Sequence, residues 1–163
     1  KAAMIFQYLA LNPHKGFVPK DVLLELVWPD QDPAVTRKRF HVALHFLRRL
    51  LEPDLKRGQS SSYLLRRGDA YRLETGMDGQ VDALCFAQAL EQAQRHERSD
   101  ESQALNCFLE AETLFRGELL PGEGDCQWLV DQRQMYQRMY LKCLTKIINH
   151  LKKLFYLTCC IAL

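Results

Sequence analysis

The sequence predicts a mainly α fold in two modules, the first of them closed by a basic β-hairpin. Three observations carry this. Apolar residues recur at helical spacing through most of the 163 positions. Two short strand-like runs, Tyr63-Leu64-Leu65-Arg66-Arg67 and Tyr71-Arg72-Leu73, flank Gly68-Asp69-Ala70, which is a hairpin signal. Charge is also split along the chain. Residues 1–75 hold thirteen Lys and Arg against eight Asp and Glu, a net +5, while residues 76–163 hold nine against twelve, a net −3. Residues 36–73 alone reach +7. A basic front half and an acidic rear half point to a polyanion-binding module joined to something else.

The front module is organised around the stretch from Pro33 to Leu51. On a helix, Phe40, Leu44, Leu47 and Leu51 form one apolar seam, with Ala43 and Leu50 at its edges. Lys38, His41, Val42, His45, Arg48 and Arg49 then fall on the other side. Pro33 suits the first helical turn, where its missing N–H would be unpaired anyway. A basic outer face is also what an ordinary solvated amphipathic helix presents, so the neighbouring sequence has to decide between the two.

Residues 1–12 read as a helix that Asn12-Pro13-His14-Lys15-Gly16 stops. Phe17-Val18 reads as a short extended piece. Pro19-Lys20-Asp21 opens a second helix carrying Val22, Leu23, Leu24, Leu26, Val27 and Trp28, and Trp28 to Pro33 is a turn with two prolines and acidic caps. Glu52-Pro53 ends the central helix, and residues 56–62 form a polar loop before the hairpin. Three helices followed by a basic hairpin outline a winged helix-turn-helix. Tyr71 and Leu73 belong to the core of that hairpin, because alternation buries every second strand residue.

Gly76-Met77-Asp78-Gly79 reads as a linker. Beyond it, residues 82–95 and 102–115 repeat a helical pattern. Residues 117–124 form a Gly- and Pro-containing loop, and Asp125 caps a longer helix from Gln127 to about Leu154. This succession suggests a stack of helical hairpins.

Several motifs, in order, resemble one family. They are Leu26-Val27-Trp28-Pro29-Asp30, the run from Val42 to Pro53, Arg66-Arg67-Gly68-Asp69-Ala70-Tyr71-Arg72-Leu73, Val81-Asp82-Ala83, Leu114-Phe115-Arg116-Gly117-Glu118-Leu119-Leu120-Pro121, and Trp128-Leu129. The chain resembles, from about Ala2 to about Ile148, bacterial transcriptional activators of the antibiotic-regulatory-protein type. These join an OmpR-like winged helix to a bacterial transcriptional activator domain of tetratricopeptide-like helices. The resemblance implies a DNA-binding domain over 1–75 and an activator domain over 80–163. It makes the central helix the recognition helix of the major groove. Arg37, Lys38, His41, Val42 and His45 would approach bases or phosphates, Arg48 and Arg49 would complete the basic side, and the hairpin with Arg66 and Arg67 would be the wing. The family's winged helix begins with an antiparallel sheet and its activator domain runs on for several more helices. The expectation is therefore that the amino-terminal strands are missing and the activator domain is truncated.

The implied partners are double-stranded DNA, RNA polymerase and a second copy of the chain, in a cytoplasmic protein without a membrane. No enzyme, cofactor or metal is expected. There is no phosphate-binding Gly-Lys-Ser/Thr loop, and His41 and His45 lack a third ligand. His96 and His150 read as isolated and solvated. The six cysteines show no two-residue zinc spacing and read as reduced and structural. Cys160-Ile161-Ala162-Leu163 fits a prenylation box, against the plainer reading of an apolar terminal segment. The rival to a DNA reader is a helical-repeat interaction scaffold, which has no need of +7 concentrated in residues 36–73.

Overall fold

The computed structural model describes every residue except Arg57, Met77, Asp78, Asp125, Ala162 and Leu163. For Pro33 and residues 157–161 it describes the backbone alone. Parts of the linker, the Asp125 cap and the terminal lipidation box therefore lie outside the described residues. The described chain is mainly helical, with one small three-stranded antiparallel sheet, and divides into two compact units, Lys1–Gly79 and Gln80–Leu163.

In the first unit, α1 (Ala2–Leu11) stops at Asn12, whose side-chain amide donates to the Tyr8 carbonyl at 2.8 Å. Pro13 then opens a 3₁₀ turn, closed by Gly16 at φ +64°. That left-handed conformation suits glycine, which has no Cβ to clash. After β1 (Val18–Pro19), α2 (Lys20–Val27) ends at Trp28, before a proline that disfavours further helix. Next come α3 (Pro33–Leu51), β2 (Leu64–Arg67) and β3 (Ala70–Leu73). α1 packs on α2, α3 and β3, while α2 packs on α3 and β1. Ile5, Leu23, Val27, Phe40, Leu47, Leu64 and Tyr71 are sealed from solvent.

The strand order is β1-β3-β2. Leu64 pairs with Leu73 and Arg67 with Ala70, as a hairpin requires, and Val18 pairs with Tyr71 on the other side of β3. The extended piece at Val18 is thus a third strand, and β3 is central. Tyr71 and Leu73 are buried as alternation requires. The seam of α3 differs from expectation at one edge. Ala43 is buried, but Leu50 is 67% exposed.

In the second unit, α4 (Asp82–His96) and α5 (Glu101–Leu114) form an antiparallel pair. Asp100 caps α5 by accepting from the Gln103 N–H at 2.9 Å. Ala89, Ala93, Ala104 and Ala111 are buried among Phe86, Leu90 and Phe108, and these small side chains let the helices approach closely. α6 (Gln127–Ile161) lays Tyr136, Cys143 and Ile147 on that core. It continues a further two turns beyond the expected end near Leu154. His150 also corrects the sequence reading. It is buried, with its ring 6.0 Å from that of Phe108 and Nδ1 3.5 Å from Glu101, because it falls one turn beyond Ile147 on the core side of α6.

Arg133 ties down the connection from α5 to α6. Arg133 donates to the carbonyls of Leu119 at 2.9 Å, Leu120 at 2.7 Å and Glu123 at 3.1 Å. It also lies 3.2 Å from the Glu118 carboxylate. Phe115 stacks flat on Tyr140 at 3.8 Å.

Candidate nucleic-acid interface

α3 starts where Asp32 turns back on it. The Asp32 carboxylate accepts from the Ala34 N–H at 2.7 Å and its carbonyl accepts from the Thr36 N–H at 3.0 Å. The carboxylate bond satisfies an N–H that a helix start leaves orphaned, and the carbonyl bond is the first of the helix itself. Thr36, Phe40, Ala43, Leu44 and Leu47 then turn inward, which fixes the outward arc. Arg37, Lys38, His41, Val42, His45 and Arg49 are exposed on that arc. Arg48 is half-buried at its shoulder, with Nε sealed from solvent. Among the described residues no carboxylate pairs with Arg37, Lys38 or Arg49, so their field is directed into solvent.

The hairpin holds its arginines more tightly. Gly68 takes φ +58° at the tip. Arg66 donates from Nε to the Gly68 carbonyl at 2.7 Å and pairs with Asp69 at 3.3 Å. Asp69 also receives Lys20 Nζ at 2.8 Å. These bonds, Lys20 first and Arg66 after it, hold the Asp69 carboxyl below its ordinary range. Arg67 lies 4.4 Å over the Phe17 ring, and Arg72 approaches the same ring at 5.2 Å. Phe17 thus orders two guanidinium groups by cation–π contact.

At the base of the loop before β2, Glu52 accepts from the Ser61 hydroxyl and from the Ser62 N–H at 2.9 Å. Partial burial raises its carboxyl, but the serine hydrogen bonds outweigh this and the net shift is downward. Ser61 Oγ accepts from the Leu64 N–H at 2.8 Å, so the end of α3 and the start of β2 are pinned together.

The structure adds Phe46 and Val35, which the sequence did not single out. Phe46 is 63% exposed beside Val42, itself 69% exposed, with Val35 and Leu50 on the same flank. Phe46 is one turn on from Val42, so extending the helical spacing along the outer arc would have found it. The Phe17 clamp had no such signal, since it depends on β1 joining β3. Arg39 is exposed and bonds the Gln31 side chain at 2.8 Å.

Among the described residues no group of three or more His, Cys, Asp or Glu is placed to hold a metal ion, and no helix is long and apolar enough to cross a membrane. No family model matches the sequence, and no curated protein matches it.

Proposed function

We propose that the chain is a DNA-binding transcription regulator. Its front unit is read as a winged helix-turn-helix and its rear unit as a tetratricopeptide-like module for self-association or contact with the transcription machinery. The observation that carries this reading is the outward arc of α3. Five basic side chains (Arg37, Lys38, His41, His45 and Arg49) stand exposed on one helix, which packs through Phe40 on the strand beside Arg66 and Arg67. Lysine and arginine supply salt-sensitive phosphate attraction, and side chains at the groove floor supply sequence choice. The sequence α2, turn, α3 and hairpin supports the winged-helix reading, as the antiparallel α4–α5 pair with its buried alanines supports the helical-repeat one.

A titration of duplex DNA binding against salt tests the reading. Binding should weaken linearly in a plot of log affinity against log salt, with a slope set by the number of phosphates neutralised. Absence of salt-sensitive binding would favour the second reading, a protein-interaction scaffold. Its support is the exposed apolar flank Val42, Phe46 and Leu50 on the same helix.

A further inference from the structure

We propose that α6 carries a self-complementary seam on which a second copy of this chain docks antiparallel, with the two-fold axis at Ile148. The inference rests on reading the rear unit as the association module; it does not require DNA binding. Leu141, Leu144, Ile148, Leu151 and Phe155 follow one another at intervals of three, four, three and four residues, the spacing by which two helices interlock knobs into holes. They lie beside, not within, the core arc of Cys143, Ile147 and His150. All but Leu144 are half or more exposed.

The two ends of the seam differ in shape. At one end, Leu141 borders a hollow of about 530 Å³ lined by Phe115, Leu119, Tyr136 and Tyr140 together with Glu118, Arg133 and Gln137. At the other end, Phe155 and Tyr156 project with 67% and 68% of their surface exposed. Ile148 stands seven residues from both Leu141 and Phe155, about 10 Å along the helix in each direction. A two-fold axis at Ile148 therefore sets each Phe155 against Leu141 of the other copy, at the mouth of its hollow. Such an isologous patch supplies both hole and knob. A parallel pair would set Phe155 against Phe155 and leave both hollows empty.

Charge permits the antiparallel pairing. Lys146 and Lys153 are engaged by Glu97 and Glu101 within their own unit. Lys152 falls beside Leu144 and Thr145 of the other copy, not beside another lysine. From the exposed fractions of Leu141, Ile148, Leu151, Phe155 and Tyr156, the seam and its tip offer on the order of 500 Å² per copy, so a pair that covers them removes on the order of 1,000 Å², the lower bound for a specific interface.

Sedimentation of the full chain without DNA, up to about 100 μM, is the test. The chain should dimerise. Leu141→Lys and Phe155→Glu should each raise the dimer dissociation constant about tenfold or more. The two together should restore dimerisation, because the new charges face each other only in the antiparallel register. Circular dichroism of each variant checks that the helices persist. A wild-type chain that stays monomeric overturns the proposal. So does a dimer indifferent to the single changes, or a double variant as weak as either one. DNA binding by the Leu141→Lys chain is read separately by salt titration, so failure of the front-unit reading leaves the dimerisation result standing.

Discussion

Phe40 of α3 meets Tyr71 of β3 edge to face, with ring centroids 5.4 Å apart and planes at 72°. Both side chains are sealed from solvent. This contact fixes the orientation of α3 against the sheet, and with it the direction in which Lys38, His45 and Arg49 project. Phe40→Ala should cost about 3–5 kcal/mol, since truncating a buried aromatic ring loses burial and leaves a cavity. Phe40→Leu should cost distinctly less. Urea unfolding followed by tryptophan fluorescence checks both, and equal, small losses would show that the contact does not organise the unit.

On the proposed function, the basic side of α3 predicts a separation of effects in DNA binding. Lys38→Ala should weaken binding to all duplexes alike and lower the salt slope by about one. His45→Ala should shift which sequences are preferred. Selection of bound sequences from a random pool, run beside a salt titration for each variant, reads both effects. If neither variant changes anything, α3 is not the element that meets DNA.

Phe46→Ala makes a contrasting case, because it removes no charge. Its ring is 63% exposed beside Val42, and apolar side chains in the major groove meet the thymine methyl. The variant should keep the salt slope and lose preference at one or two thymine positions. Replacing those thymines by uracil should weaken the wild-type chain and leave Phe46→Ala nearly unaffected. An equal loss in both proteins would place Phe46 away from the methyl groups.

Helices were legible in the sequence because their signals are local. The α3 seam follows from spacing alone, and Phe40, Leu44 and Leu47 are buried accordingly. Long-range pairing was not legible. β1 is two residues long, too short for a periodicity, and its pairing of Val18 with Tyr71 bridges more than fifty residues. With it went the Phe17 clamp on Arg67. His150 was misread for a related reason. Its position relative to Ile147 places it on the core arc of α6, but its burial depends on α5 crossing there to supply Phe108 and Glu101. The outward arc of α3 was legible in direction, whereas the half-burial of Arg48 and the exposure of Leu50, both at its margins, were not.

Asp69 predicts how the hairpin tip responds to acid. Its carboxyl is held below the ordinary 3.8 by hydrogen bonding to Lys20 and then by Arg66. A carboxyl lowered in the folded state adds stability above its unfolded value, and that contribution disappears as pH falls through the folded value. Carbon NMR should place the Asp69 titration below 3.8. Lys20→Met should return it toward that value while leaving α2 intact. A titration unmoved by Lys20→Met would mean that the pair at 2.8 Å is not populated in solution.

Cys143 gives the mirror case in the second unit. Its thiol is fully buried, lies 3.3 Å from the Phe108 carbonyl as a donor, and is pushed up to about 11 by burial, with Glu112 adding to the shift. The folded chain therefore keeps the proton that an unfolded chain gives up near 9. Its contribution to stability is complete below that pH and is lost as pH rises from there toward about 11. Iodoacetamide should modify Cys85, Cys107 and Cys126, which are partly exposed, well before Cys143, because the thiolate is the reactive form. Cys143→Ala should cost about 1 kcal/mol or more through lost packing and hydrogen bonding, and should remove the extra loss of stability in alkali. Peptide mapping after alkylation at pH 8 and at pH 10, with urea unfolding at the same two values, separates these outcomes. Labelling of Cys143 at the rate of the other three at pH 8 would show that the α5–α6 contact opens readily in the native chain.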